Sequence, residues 1–389
     1  MGQDQIGGAD GHPEPHRPMR ASDVVMMPLA VDLDGTLLLT DTLFEAVAEH
    51  LRRRPLWAIW QLLQLPFAIA KVKDRLTKNV DLDVDSLPVN EEVLAYCKSA
   101  KEAGRQVWLV SAADQKMVDR IVARFDVFDR AIGSDGKTNN KGPAKAKLLE
   151  REAPGGFEYV GDSPADYKVW KSAARASFVD KGESRRRSIE RMGVPVAHSF
   201  ERPKAGWRSW LRTMHARQWA RNALIFLPAL LTMRIAEPDI LLNLIVALPL
   251  LALMASGIYI LNDLLNLREH RAHRSKSTPP LASGRIKLWQ GFAAAPTLIL
   301  VSLVGGAVLS PAFAATQICY VIVSLFNSLT IRRFAIAGTI AVSLLDTLRV
   351  VMGAVLAAVA TPPWLLAFSM LLFISPSFAR RAFRGTRQD

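Results

Sequence analysis

The stretch Leu29-Ala30-Val31-Asp32-Leu33-Asp34-Gly35-Thr36-Leu37 decides how the first half of the chain is read. Three consecutive apolar residues without polar alternation mark a strand buried on both faces. The run ends in two carboxylates one residue apart, followed by glycine. The pattern recurs downstream: Val107-Trp108-Leu109-Val110 ends in Ser111, and Tyr159-Val160 leads into Gly161-Asp162-Ser163-Pro164-Ala165-Asp166. Asn140-Lys141-Gly142 lies between them. Apolar strands that each end in a polar or acidic residue, with helical patterns between, predict a doubly wound α/β domain whose ligands sit at the carboxyl ends of the strands.

Asp-x-Asp-Gly-Thr, Ser, Lys and Gly-Asp-Ser-x-x-Asp, in that order, resemble the haloacid dehalogenase-like superfamily over about residues 29–200. The resemblance implies a Mg²⁺-dependent phosphatase. Asp32 would attack the phosphoryl group, and Asp34 would protonate the leaving group and then activate water. Ser111 and Lys141 would hold the phosphoryl oxygens. Asp162 would bind Mg²⁺ together with Asp32 and the backbone carbonyl of Asp34, with Asp166 as outer support. The Lys-Gly context favours Lys141 over Lys145. The competing reading is a turn-forming acidic cluster in a non-catalytic domain. Residues 38–106 supply the helical cap. Within it, Leu56–Leu63 is apolar, flanked by Arg52–Arg54, and too short to span a bilayer before Pro66. It lies either on the membrane surface or as a buried cap face.

The chain has 389 residues, 50% of them hydrophobic, and a formal charge of +13. Two cysteines exclude a disulfide scaffold, and the apolar content excludes a disordered chain. Almost all the charge excess lies beyond residue 206, where a net +12 accompanies charge-free apolar runs. These basic residues fall between hydrophobic spans rather than on a soluble face, which argues against a nucleic-acid partner. A helix needs about 20 apolar residues to cross a bilayer. Ile240–Leu261, Leu288–Leu309, Pro311–Ile331, Phe334–Ala360 and Pro362–Phe378 approach or exceed that length, and Asn222–Met233 is a weaker first span. The expectation is an all-α bundle of about six spans over 217–389, after a linker at 201–216. Arg217, Arg221, Arg268–Lys287, Arg332–Arg333 and Arg380–Arg387 occupy every second connection, so both termini and the first domain are expected on the cytoplasmic side of the plasma (inner) membrane. Residues 1–28 lack the apolar core of a signal peptide and read as a disordered tail. Cys97 and Cys319 read as buried packing residues, and the scattered histidines, His215 among them, form no ligand pattern. The sequence assigns no oligomeric state.

Tyr259-Ile260-Leu261-Asn262-Asp263-Leu264-Leu265-Asn266 opens a loop running through Arg271, His273 and Lys276 to Pro280-Leu281-Ala282-Ser283-Gly284-Arg285. Together with Arg217–Asn222 and Thr347-Leu348-Arg349, this resembles the UbiA-type polyprenyl transferases, and within them the polyprenyl-phosphate phosphoribosyltransferase branch. The resemblance implies a polyprenyl lipid and a diphosphate substrate as partners, with pyrophosphate released. Asp263 would hold Mg²⁺, and Asn262, Arg271, His273, Lys276, Arg332 and Arg349 would hold the diphosphate. The chain departs from the family pattern where aspartates are expected: Asn266 and His270 follow Asp263, and Ala337-Gly338-Thr339 replaces the second aspartate motif. Pro279 stands where an arginine is usual, and the family has about nine spans. Asp346 and Arg349 share a helix face as either an ion pair or a substrate contact. Three readings remain. One is a bifunctional transferase–phosphatase, one a phosphatase anchored by a degenerate bundle, and one a transporter or lipid-binding protein.

Overall fold

The computed structural model describes residues 27–64, 72, 75–77, 80–134, 140–180, 182–203, 205–272, 278–329, 335–360, 366–367 and 369–372. The tail expected over 1–28 lies outside them but for its last two residues. The first domain is built on six strands: β1 (Leu29–Val31), β2 (Val107–Asp114), β3 (Arg130–Ser134), β4 (Glu158–Gly161), β5 (Arg175–Val179) and β6 (Val196–Phe200). All pair in parallel, in the order β3-β2-β1-β4-β5-β6. Strand order therefore reverses at β1. A crevice at the carboxyl ends of the strands forms at such a reversal. Leu29, Ala30 and Val31 are fully buried, as the unalternating run requires, with Leu29 and Val31 facing one apolar layer and Ala30 the other.

Among the helices that flank or extend the sheet are α1 (Thr42–Arg53), α2 (Pro55–Leu63), α3 (Glu91–Glu102), α4 (Gln115–Arg124) and α5 (Pro143–Glu152). The N-terminal turn of α1 is capped by Asp41, whose carboxylate accepts from the Leu43 and Phe44 amides; Asn90 and Asp114 cap α3 and α4 in the same way. Val93, Leu94, Cys97 and Ala100 of α3 pack into the sheet core with Val107 and Leu109. This helix therefore packs as part of the sheet layers.

The second domain is a helical bundle. Among the described residues four helices are long and apolar enough to cross a membrane: α6 (Pro238–Leu265), α7 (Leu288–Leu309), α8 (Pro311–Leu329) and α9, which runs over Ala335–Leu356. Ile318, Ile322 and Phe326 lie exposed at four-residue intervals along α8, a stripe suited to lipid. Polar side chains bridge the helices inside: Gln317 donates to Ser302 Oγ at 3.0 Å, and Ser302 donates to the Leu250 carbonyl at 2.7 Å. Two expectations change here. The first span breaks into a 3₁₀ segment, Ala216–Phe226, followed by the short helix Leu227–Leu231. Cys319 is exposed on α8 rather than buried, whereas Cys97 is buried as expected. Most of the span expected over 362–378 lies outside the described residues.

The two domains are joined by a packed interface. Ala48 and Phe44 of α1 pack with Ile260, Leu264, Leu281 and Leu288 of the bundle. Val47, Leu51 and Ala58 pack with Leu265 and Leu329. These bundle residues are at the carboxyl ends of α6 and α8 and the amino end of α7, which is the end that carries the basic connections. Gly284 has a φ of +72°, and a Cβ there would sit 2.6 Å from both Leu39 Cβ and the Leu39 carbonyl oxygen. Only glycine lets this loop press against the segment following β1.

Candidate active site

Asp32 leaves the carboxyl end of β1, and Asp162 leaves that of β4, its immediate neighbour in the sheet. Adjacent strand ends thus bring two carboxylates 130 positions apart into one crevice. Asp166 is added by the 3₁₀ turn Pro164–Asp166. One ligand oxygen from each of Asp32, Asp162 and Asp166 lies within 4.8 Å of the others. Asp166 is held in place by its own turn: it accepts from the Ser163 amide and hydroxyl at 2.8 Å each and from the Asp162 amide at 3.2 Å. Its other oxygen accepts from Tyr159 Oη at 2.8 Å. Gly35, at φ +81°, turns the chain directly beneath Asp162, and a Cβ there would collide with the Asp162 carboxylate. The glycine of Asp-x-Asp-Gly is therefore required twice over, for its backbone angle and for the close approach.

Lys145, on the first turn of α5, donates from Nζ to Asp32 Oδ1 at 2.6 Å and to Tyr159 Oη at 2.9 Å. Lys141 is exposed on the rim of the same cavity. The lysine that meets the acidic cluster is thus the one the Lys-Gly context disfavoured. Gly142, at φ +56°, caps α5 and leaves Lys141 outside the helix, while Lys145 points inward from it. Asp34 accepts from the Thr42 amide at 2.8 Å and its hydroxyl at 3.1 Å, at the amino end of α1. Ser111 is buried in β2, and its Oγ accepts from the Ala113 amide at 3.0 Å. All six residues that the first resemblance assigned, together with Lys145, line one cavity of about 670 Å³.

Burial and crowding shape the charges. Burial pushes the Asp32 carboxyl up to about 7, with Asp166 and Asp162 adding to the rise and Lys145 opposing it. Burial also raises Asp34 well above the usual carboxylate range, helped by Asp41 and opposed by the bonds from Thr42. Asp162 is raised by burial against Lys287 and Arg202. Converging carboxylate oxygens that resist ionisation together are a donor set that suits a hard divalent cation. The bond from Lys145 goes to Oδ1 of Asp32 and that from Arg202 goes to Oδ2 of Asp162, so these two bonds leave the second oxygen of each carboxylate available. Asp32, Asp162 and Asp166 could together hold a divalent cation such as Mg²⁺.

Among the described residues, those assigned to the membrane half do not line this cavity. Asp263, in the last turns of α6, contacts His215 Nε2 at 3.1 Å and His270 Nε2 at 3.5 Å. His215, which the sequence left without a role, is therefore a partner of the one retained aspartate. Asn262 accepts through Oδ1 from Asn266 at 3.1 Å. Arg271 donates to both carboxylate oxygens of Glu45, at 2.6 and 3.1 Å, and to the Ala282 carbonyl at 2.9 Å. Arg349 pairs with Asp346 and also meets Tyr320 and, at 3.2 Å, Asn222. His273, Lys276 and Arg332 lie outside the described residues. Two further cations are present that no local pattern marked as site residues: Arg202 and Lys287 approach Asp162 Oδ2 at 3.1 and 3.8 Å.

Comparison with known proteins matches a different family to each half of the chain. The haloacid dehalogenase-like hydrolase family matches residues 29–171, and the UbiA prenyltransferase family matches residues 224–389. The chain is 33% identical over 362 residues to Uncharacterized protein y4nM of Sinorhizobium fredii, an alignment covering 93% of this chain and 70% of that protein. It is 25% identical over 172 residues to Decaprenyl-phosphate phosphoribosyltransferase of Mycobacterium tuberculosis, covering 42% of this chain and 57% of the relative. It is 30% identical over 181 residues to Nodulation protein NoeC of Azorhizobium caulinodans, covering 46% and 58%. The chain thus spans a little over half the length of these last two relatives.

Proposed function

This chain belongs to the UbiA prenyltransferase family, with a haloacid dehalogenase-like hydrolase domain fused in front of the bundle, and from that premise we propose a membrane enzyme with two chemistries. The first domain hydrolyses a phosphomonoester. The second transfers a prenyl or phosphoribosyl group involving a polyprenyl (phosphate) lipid, with release of pyrophosphate; the name of the mycobacterial relative supports the phosphoribosyl group and the polyprenyl phosphate. The hydrolase domain lies on the cytoplasmic side of the plasma membrane, a placement supported by its docking at the end of the bundle that carries the basic connections.

In the hydrolase, an Asp32 carboxylate oxygen attacks phosphorus as the bond to the leaving oxygen breaks, and Asp34 gives that oxygen its proton. Asp34, its carboxyl raised well above the usual carboxylate range by burial and Asp41, is suited to this step. It then takes a proton from water, whose oxygen attacks the phosphorus of the aspartyl phosphate, releasing phosphate and restoring Asp32. Lys145 holds Asp32 in position, and Ser111 and Lys141 line the space where the phosphoryl oxygens would lie. A bound Mg²⁺ would supply charge neutralisation for the phosphoryl group. The observation that carries this reading is the convergence of Asp32, Asp162 and Asp166 within 4.8 Å. The full chain in detergent with Mg²⁺ should hydrolyse p-nitrophenyl phosphate, and Asp32→Asn should abolish it; equal turnover by the variant would refute the assignment.

A second reading, a phosphatase anchored by a catalytically degenerate bundle, is favoured by three contacts. Asp263 is engaged by His215 and His270, and Arg271 by Glu45. An assay of membranes for phosphoribosyl transfer from phosphoribosyl diphosphate to polyprenyl phosphate separates the two readings.

A further inference from the structure

The cavity above Asp32 does not close within the hydrolase fold. Arg202, from the segment after β6, donates to Asp162 Oδ2 at 3.1 Å and to the carbonyls of Gly35 and Leu39 at 3.3 Å each. The remaining wall is Lys287, Leu288 and Trp289, the first turn of the membrane helix α7. We propose that the phosphomonoester hydrolysed in this cavity is carried on a membrane lipid. Arg202 and Lys287 bind its anionic head, and Trp289 lies along the apolar neck. The proposal rests on the phosphatase reading above and names its substrate class.

Three observations carry it. The first is continuity: the nucleophile Asp32 and the membrane residue Trp289 line one cavity of about 670 Å³, within the size range of pockets that enclose an organic ligand rather than a bare phosphate. The second is depth. Trp289 is the second residue of a spanning helix and half exposed, and tryptophans at span ends sit at the headgroup level. A cavity with such a wall opens into the headgroup layer. The third is the neighbouring cap helix α2. It exposes Leu56, Ile59, Trp60 and Leu63, the i, i+3, i+4, i+7 stripe of one face, beside Arg52–Arg54. Its Ala58 packs with Leu265 of the bundle, so this apolar stripe lies beside the end of the spans, as an interfacial helix would. The hydrolase therefore rests on lipid next to its own opening. The charge also fits: Lys287 is loosely held at 3.8 Å from Asp162 and nearly half exposed, leaving ammonium donors for an incoming anion.

The test compares two sources of one chemistry, using the full chain in nanodiscs with Mg²⁺. Dioleoyl phosphatidic acid in the bilayer and free glycerol 3-phosphate present the same phosphomonoester with and without acyl chains. The lipid should be hydrolysed with a kcat/KM at least about tenfold higher, and Lys287→Ala should raise its KM about tenfold with kcat nearly unchanged, Lys287→Arg restoring it. Binding is read separately with Asp32→Asn: bilayers holding brominated-acyl phosphatidic acid should quench tryptophan fluorescence beyond brominated phosphatidylcholine, and Trp289→Phe should remove that excess. Equal kcat/KM for the two phosphomonoesters, or an unchanged lipid KM in Lys287→Ala, overturns the proposal while leaving the phosphatase reading intact. Loss of p-nitrophenyl phosphate hydrolysis by the unmodified chain would instead overturn the phosphatase reading itself.

Discussion

Glu45 and Arg271, 226 positions apart, form a bidentate ion pair at 2.6 and 3.1 Å with both side chains buried. Glu45 comes from the cap helix of the hydrolase and Arg271 from the basic connection of the membrane bundle. Thr40 donates to the same carboxylate at 2.6 Å, and the Ala282 carbonyl accepts a third bond from the guanidinium. Further hydrogen bonds thus support both members of the pair, the condition under which a buried ion pair recovers its desolvation cost.

Removing either partner alone leaves an uncompensated charge in the interface. Glu45→Ala or Arg271→Ala should destabilise the docked protein by about 3–5 kcal/mol, and the double variant by clearly less than the sum. Thermal unfolding of the four proteins in one detergent measures this. Additive losses would show that the two groups do not act as a pair.

The two lysines of the Asn140–Lys145 segment should separate in activity. Lys145→Ala removes the cation 2.6 Å from Asp32 and should lower phosphomonoester kcat about 10²–10³-fold, the scale of losing one preorganised charged donor. Lys141→Ala, altering an exposed rim residue, should cost about tenfold or less. The reverse order in p-nitrophenyl phosphate hydrolysis would return the phosphoryl contact to Lys141.

Magnesium affinity should depend on pH in a definite direction. Burial raises Asp32 from 3.8 to about 7, so its carboxyl is protonated in the metal-free protein below that value. A cation must displace that proton, and the apparent Mg²⁺ affinity should fall about tenfold per pH unit below 7 and level off above it. The stability linkage has the matching sign. A carboxyl with a raised folded-state value contributes stability that is fully present below the unfolded value and lost as pH rises through about 7, unless metal is bound. Calorimetric titration of the full chain on either side of neutrality checks the affinity, and a pH-independent constant would contradict the assignment of Asp32 as a ligand.

Local chemistry alone determined a good deal of this protein. A buried three-residue strand running into Asp32-Leu33-Asp34-Gly35, and Gly161-Asp162 at the end of another, are readable because strand, turn and carboxylate lie within a few residues. Four spans are readable for the same reason: a bilayer selects on uninterrupted apolar length, which is a property of the segment itself. The 3₁₀ break within Ala216–Phe226, the contact of Lys145 with Asp32, and the partners of Asp263 and Arg271 were decided only by the tertiary structure. Lys145 reaches Asp32 because Gly142 ends the loop where it does. Lys287 and Glu45 find their partners because two independently patterned domains dock face to face, and Arg202 and His215 because the segment between the domains folds back onto Asp162 and Asp263. No periodicity or motif records such contacts, since their energy comes from groups 40 to 226 positions away that become neighbours only after each domain has folded.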